Sequence, residues 1–403
     1  MHKRICASAA LALVLPALAN AQAPVAKRDG TAFNPAISLI LSGNYKRTQQ
    51  DPEDYAIAGF PRAADAETAP GSRGLSLDET ELGISANIDP YLRGAAFVAL
   101  EPGGEVSVEE AFIQTTGLGA GLSLKAGRFY SGIGYLNPQH PHVWDFVDNP
   151  LAYQAMLGTQ YGDDGVQLQW LAPTPFFLRF GGELGRGRSF PGTDTARNGS
   201  GMAALYAHIG GDLSAAHSWR AGVSVLRTKA QDQTLIAPDA LGNDLDHAFT
   251  GTTRVWVADA VWKWTPAGAL SGQSFKLQAE YLCSRRTGDF VFDVNGAASA
   301  DAYRVTQSGW YVQGVYQFAP RWRVGARTER LDAGAPDYGA NQGLLASPAQ
   351  RPYRTAALLQ FAPSEFSRVR LQVARDRARE GKNDTQVFVQ YQASLGAHGA
   401  HGY

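Results

Sequence analysis

The C-terminal half of the chain consists of short segments in which apolar and polar residues alternate, and each segment ends at a turn. In residues 366–375, Val369, Leu371 and Val373 are apolar and the residues between them are polar, and residues 385–395 repeat the pattern. Side chains on a β-strand point alternately to opposite faces, so this period predicts strands with one apolar and one polar face. Many such strands can close into a barrel with lipid outside and water inside.

The N-terminus has the composition of a secretory signal peptide. His2, Lys3 and Arg4 form a basic end, residues 5–18 are apolar, and residues 19–21 have the small-x-small form of a cleavage site. The apolar stretch is too short to cross a bilayer as a helix. The sequence therefore predicts that the chain is exported, with residues 1–21 as the signal peptide.

Only a closed barrel could span a membrane, because no later apolar stretch is long enough for a transmembrane helix. About sixteen candidate strands follow, joined alternately by short turns rich in Pro, Gly and Asp and by longer polar loops. Residues 230–251 and 288–302 are two of the predicted loops. We therefore predict an all-β fold, a transmembrane antiparallel β-barrel of about 16 strands over residues 35–403, in the outer membrane of a Gram-negative bacterium. Residues 22–34 are predicted to form a short periplasmic segment.

Composition and motifs argue against several other functions. The formal net charge is −1, which gives no basic bias toward nucleic acid. After removal of the signal peptide Cys283 is the one remaining cysteine, so no intrachain disulfide is predicted. We find no P-loop, HExxH or CxxC motif, and therefore predict neither an enzyme nor a cofactor. The expected partners are outer-membrane lipid and solutes.

Six segments carry a resemblance to a known family. They are FNPAISLILSGNY, EEAFIQT, KAGRFYSGIGYLN, HPHVWDFVDNPLAY, YGDDGVQLQWLAPT and HSWRAGVS. They resemble a group of proteobacterial outer-membrane proteins known both as porins and as zinc-regulated TonB-dependent receptors. The layout is also similar to the sixteen-stranded porin superfamily, which includes the phosphate-selective porins. The resemblance implies a homotrimeric porin that passes small hydrophilic solutes by passive diffusion.

The alternative implied by the same resemblance is an outer-membrane receptor or zinc-uptake protein coupled to TonB. Such receptors have a plugged barrel of about 22 strands. Only residues 22–34 precede the first predicted strand, which leaves no room for a plug. The sequence therefore favours a porin.

Residues 131–161 form the longest predicted connection, and the resemblance implies that this loop folds into the barrel and narrows it. The loop is less polar than the others, which favours burial. A lid packed outside the barrel is the alternative. The candidate constriction residues are Tyr135, His140, His142, Trp144, Asp145 and Asp148.

The polar faces of the strands supply more basic than acidic candidates for the pore lining. Rings of guanidinium groups attract anions and repel cations, so we predict a moderate anion preference. The alternative is that these arginines fill the barrel wall and pair with loop carboxylates. The basic candidates are Lys125, Arg179, Arg220, Arg321, Arg323, Arg327, Arg354, Arg368 and Arg370, and the acidic ones include Glu183, Asp259 and Glu280.

Two histidine pairs raise the question of a metal site. His140 and His142 flank Pro141, and His398 and His401 lie near the C-terminus. The predicted topology puts the two pairs at opposite ends of the barrel, so each would need a third ligand, such as Asp145 for the first pair. We therefore predict no metal site, with these four histidines as the only candidates.

Overall fold

The computed structural model of the protein describes residues 35–64, 70–78, 80–101, 103–195, 198–266 and 272–396. The predicted signal peptide, His398 and His401 lie outside the described residues. No helix in the described ranges is long and apolar enough to cross a membrane.

Sixteen antiparallel strands form a closed barrel, which confirms the predicted fold class. Each strand pairs with the next along the chain, and β1 closes the barrel by pairing with both β4 and β18. Two short strands, β2 and β3, lie in the first loop, where β3 continues the line of β4 beside β1. The strands are β1 Ala36–Thr48, β2 Arg62–Ala63, β3 Gly74–Leu77, β4 Thr80–Asn87, β5 Leu92–Leu100, β6 Val106–Thr115, β7 Leu122–Tyr130, β8 Gly162–Leu171, β9 Phe177–Gly185, β10 Met202–Ser214, β11 His217–Pro238, β12 Asp244–Trp264, β13 Ser274–Phe292, β14 Ser299–Ala319, β15 Trp322–Asp332, β16 Tyr353–Ser364, β17 Ser367–Arg377 and β18 Asp384–Gly396.

The side chains of the wall are arranged inside out relative to a water-soluble protein. Large apolar side chains such as Leu41, Val223 and Leu371 are exposed on the outer face, whereas Gln372 and Gln386 on the inner face are completely buried. The outer face would contact lipid, and the inner face needs polar partners, so the two-residue alternation of the sequence sets the strand register.

One side of the barrel is much taller than the other. Strands β11 to β14 have 19 to 22 residues, whereas β4 to β9 have 8 to 10. The prediction of loops at residues 230–251 and 288–302 is therefore wrong, because most of these residues continue the strands. The actual connections are the short segments 239–243 and 293–298.

On the tall side, the wall has the reverse polarity at the end far from the short turns. Leu235, Phe249 and Phe290 point inward and are completely buried in an apolar cluster, while Arg285 and Asp289 are exposed on the outer face. A bulge between Ala230 and Gln233 in β11 lies near the change. Apolar side chains inside and polar ones outside are the arrangement expected for a sheet surrounded by water.

Candidate pore constriction

The constriction loop, residues 131–161, joins β7 to β8 and fills the middle of the barrel, as predicted. It contains a 3-10 turn at Pro141–Val143 and a short helix, α1, at Leu151–Leu157. Gly158 ends α1 in the left-handed conformation with φ of 62°, which glycine adopts without strain. Tyr153 and Met156 of α1 join an apolar cluster with inward-facing wall residues such as Leu282. This packing explains the apolar composition of the loop.

Buried carboxylates on the wall bind the backbone and side chains of the loop. Glu280 of β13 accepts hydrogen bonds from the backbone nitrogens of Tyr135 at 3.1 Å and Leu136 at 3.0 Å, and from the Tyr153 hydroxyl at 2.8 Å. Glu183 of β9 accepts one from the nitrogen of Gly132 at 2.8 Å. Peptide groups in an irregular buried loop have no sheet partners, so these carboxylates supply the missing acceptors.

Asp148 ties the loop to the opposite wall. Its carboxylate lies 2.6 Å from Nη2 of Arg327 and 2.9 Å from Nη1 of Arg354. Burial by itself would raise the pKa of Asp148, but the two guanidinium groups lower it to about 2. Arg327 and Arg354 also pair with Glu329, whose Oε2 accepts a hydrogen bond from the nitrogen of Leu151 at 2.5 Å.

Two further arginines donate hydrogen bonds to loop carbonyl oxygens. Arg370 of β17 contacts the carbonyl oxygen of Trp144 at 2.6 Å, and Arg368 contacts that of His142. Asp145 pairs with Lys276 of β13. Arg327, Arg354 and Arg370 are each at most 3 % exposed, so little of their surface faces the open lumen.

A second group of basic side chains, which shares Lys276 and Arg368 with the loop contacts above, lies near the strand ends that the short turns connect. In outer-membrane barrels these short turns face the periplasm. We call this group the basic band. Its members come from β5, β7, β9, β11, β12, β13, β15 and β17, each within four residues of the periplasmic strand end. All are half-buried or exposed on the inner face. The basic band consists of Arg93, Lys125, Arg179, Arg220, Lys263, Lys276, Arg323 and Arg368.

One predicted pore-lining residue lies elsewhere. Arg321 occupies the turn between β14 and β15, where it is exposed and has a positive φ of 74°. It is therefore outside the wall, because the tight turn Pro320-Arg321 ends the alternation that assigned it to the inner face. Tyr135 is buried inside the barrel, with Arg220 stacked 5.2 Å from its ring centre.

The constriction loop leaves a cavity of about 190 Å³ along the wall formed by β1 and β18. Lys46 and Asp78 line it from the wall side, and His142 and Asp148 line it from the loop. Both signs of charge therefore face this cavity.

The sequence reasoning missed the neighbours of His140 and His142. Both histidines are buried beside Glu81 of β4, and Glu109 and Glu110 of β6 also contact His140. Asp145, the third ligand considered from sequence, pairs with Lys276 instead. The alternation along β4, which places Glu81 on the inner face, was the one sequence signal that could have identified this residue.

A closed sixteen-stranded barrel with a polar lumen and a loop folded inside it defines an outer-membrane porin. The chain belongs to the family described as phosphate-selective porin O and P, which it matches over residues 99–342. It is therefore a porin of the Gram-negative outer membrane. An uncharacterized protein of Aquifex aeolicus is 30% identical over 400 residues, covering 92% of this chain and 80% of the relative.

Solved porin structures share the fold at low sequence identity. An anion-selective porin from Comamonas acidovorans has a TM-score of 0.54 with this chain at 9% identity, covering 90% of this chain and 99% of the porin. OmpT of Vibrio cholerae in its trimer form has a TM-score of 0.51 at 12% identity, covering 90% and 99%. The family and these structures give no support to a TonB-coupled receptor.

Proposed function

We propose that the protein is a passive diffusion porin for small hydrophilic solutes with a preference for anions. The observation that carries the proposal is the basic band. Its eight cationic side chains lie on the inner face near the periplasmic ends of the strands, where a solute must pass to reach the periplasm. Three of them, Arg220, Lys276 and Arg368, also contact the constriction loop. Charges on a narrow wall of low dielectric constant attract ions of opposite sign and repel those of like sign.

The predicted basic pore-lining residues have two different roles in this proposal. Arg327, Arg354 and Arg370 hold the loop, and their charge is largely offset by Asp148, Glu329 and loop carbonyl oxygens. Lys125, Arg179 and Arg323 instead contact wall residues: Lys125 lies 4.2 Å from the Phe112 ring centre, and Arg323 donates to Gln317. We therefore assign the attraction of anions to the band.

Two similarities support this proposal. The family is described as phosphate-selective, and the Comamonas acidovorans neighbour is described as anion-selective. Phosphate and other small oxyanions are therefore the first solutes to test. Arginine suits such solutes because its planar guanidinium group presents paired donors to oxyanions.

The test is the reversal potential of the reconstituted protein across a planar bilayer with a KCl gradient. We expect the wild type to favour chloride. Replacing Lys125, Arg179 and Arg323 together by Gln should shift the reversal potential toward potassium, and the shift should shrink in about 1 M salt, where the screening length is about 3 Å. A wild type that favours potassium would contradict the proposal.

The matched control removes the same charge from the outer face. Arg304, Arg330 and Arg375 lie on β14, β15 and β17, where their side chains are exposed on the outer face of the barrel. Their triple replacement by Gln should leave the reversal potential unchanged. If the control shifts it as much as the inner triple does, net charge rather than the band sets the selectivity.

We also propose that the porin is a homotrimer that associates through the short side of the barrel, β4 to β9. Apolar side chains such as Leu82, Ile84 and Leu168 are exposed on this side. The OmpT neighbour in its trimer form supports this assembly. Light scattering of the detergent-solubilised protein should give three chains per particle, and Leu82→Arg should give monomers.

A further inference from the structure

Two histidines of the constriction loop converge on one wall carboxylate. Oε2 of Glu81 lies 2.8 Å from Nδ1 of His140 and 3.2 Å from Nδ1 of His142. Oε2 of Glu109 lies 3.3 Å from the same Nδ1 of His140. The residues Glu81, His140 and His142 are all buried, at 2 %, 5 % and 7 % exposure. This group, with Glu109, is called the His–Glu cluster below.

The spacing of the donor atoms fits a metal ion. Imidazole nitrogens and carboxylate oxygens bind Zn²⁺ at about 2.0–2.2 Å in a tetrahedron, which puts neighbouring donors about 3.3 Å apart. The ligand atoms of Glu81, His140 and His142 all lie within 4.8 Å of one another. A small inward adjustment would therefore complete a site with two nitrogen ligands and one or two carboxylates.

The second nitrogen of His140 is oriented as in metal-binding histidines. Its Nε2 lies 3.0 Å from Oε2 of Glu110, and Oε1 of Glu110 accepts a hydrogen bond from the backbone nitrogen of Tyr130 at 3.0 Å. A carboxylate that accepts from the remote ring nitrogen fixes the tautomer and leaves Nδ1 to bind the metal. The arrangement thus includes the outer hydrogen bonds of a metal site as well as its ligands.

Charge also favours a cation in the His–Glu cluster. Glu81, Glu109 and Glu110 bring three carboxylates around His140 in a buried environment. Buried carboxylates are costly unless they are paired or coordinate a metal. Histidine nitrogens favour transition metals such as zinc, whereas magnesium and calcium prefer sites made of oxygen alone.

We propose that the His–Glu cluster binds one divalent transition-metal ion, with Zn²⁺ as the best fit, and that the ion fastens the constriction loop to β4 and β6. His140 and His142 come from the loop, Glu81 from β4 and Glu109 from β6. Because His142 also lines the cavity beside β1 and β18, the bound ion would act at the edge of the pore. The proposal is independent of the anion preference.

The direct test is isothermal titration of the folded, untagged protein in detergent with ZnCl₂. We expect one Zn²⁺ per chain, and no comparable binding of MgCl₂ or CaCl₂. His142→Gln and Glu81→Gln should each weaken Zn²⁺ binding at least tenfold. X-ray absorption of the loaded protein should show imidazole ligands, with metal–ligand distances of about 2.0–2.2 Å.

The matched control is the double replacement His398→Ala and His401→Ala, which removes the other histidine pair and should leave Zn²⁺ binding unchanged. The folded gel mobility of each variant shows whether its barrel is intact. Zn²⁺ should also raise the temperature at which the wild type loses that mobility, but not that of His142→Gln. Absence of stoichiometric binding in the wild type, or its loss in the C-terminal double variant alone, would overturn the proposal.

Discussion

Nη1 of Arg370 donates a hydrogen bond to the carbonyl oxygen of Trp144 at 2.6 Å, joining the wall of the barrel to the middle of the constriction loop. The same nitrogen lies 3.1 Å from the carbonyl oxygen of Asp145. A basic side chain inside a pore can thus be engaged in hydrogen bonds to the protein's own backbone. Its effect on passing ions then depends on its other contacts.

Arg370→Gln should loosen the constriction loop without opening the barrel. Hydrogen bonds from a charged group contribute about 1.5–3 kcal/mol, and their loss leaves buried carbonyl oxygens without donors. We expect noisier open-channel currents and a lower free energy of unfolding in urea. The control is Arg375→Gln on the outer face of the same strand, which should change neither. Equal effects of the two variants would contradict the assigned role.

Glu280→Gln tests the anchoring of the loop from the other wall. Glu280 accepts from the nitrogens of Tyr135 and Leu136 and from two tyrosine hydroxyls, and an amide can no longer accept at both of its end atoms. We expect a loss of about 1–3 kcal/mol in the free energy of unfolding. Glu365→Gln, in an exposed turn, should leave the unfolding midpoint unchanged.

The ion pairs that join Asp148 to the wall should weaken at low pH. Its pKa is lowered from 3.8 to about 2 by Arg327 and Arg354, against the opposing effect of burial. A lowered pKa in the folded state means that the stabilisation is complete above about pH 4 and is lost as the pH falls through about 2. Single-channel noise should therefore rise over that interval. In Asp148→Asn the noise should already be raised at neutral pH and this component of the pH dependence should vanish.

Cys283 offers a test of the face assignment along β13. Its odd position places it on the lipid-facing side, opposite to Lys276 and Glu280 on the inner face. A charged, membrane-impermeant thiol reagent should not label it in liposomes. In a Cys283→Ser background, Arg323→Cys should be labelled from the lumen. Rapid labelling of Cys283 in the folded protein would show that the register is shifted by one residue.

The strands inside the membrane could be predicted because one physical rule governs them. Lipid outside and water inside give each strand an alternation that residues such as Val369 and Leu371 display directly. Above the membrane the environment of the outer face changes to water, and Leu235 and Phe249 now point inward. In these extensions of the strands the residues still alternate, but the apolar side chains now point inward and the polar ones outward. Because polar residues and glycines are also frequent there, the sequence of the extensions resembles that of loops.

The candidate site was predictable only in part. The apolar content of residues 131–161 indicated burial, and parity placed Arg327, Arg354 and Arg370 inside. Parity cannot tell which inward cation meets the loop and which faces the lumen, because that depends on contacts between distant parts of the chain. Glu81 and His142 are 61 positions apart, and no spacing rule joins them.

His142 contacts both sides of the seam at which the first and last strands meet. Its carbonyl oxygen accepts from Gln392 of β18 at 3.2 Å, while its ring faces Glu81 of β4, the other neighbour of β1. These partners share one lumen only after β1 and β18 have paired. The loop therefore links β18 to β4 across β1, and it makes its full set of contacts only in the closed barrel.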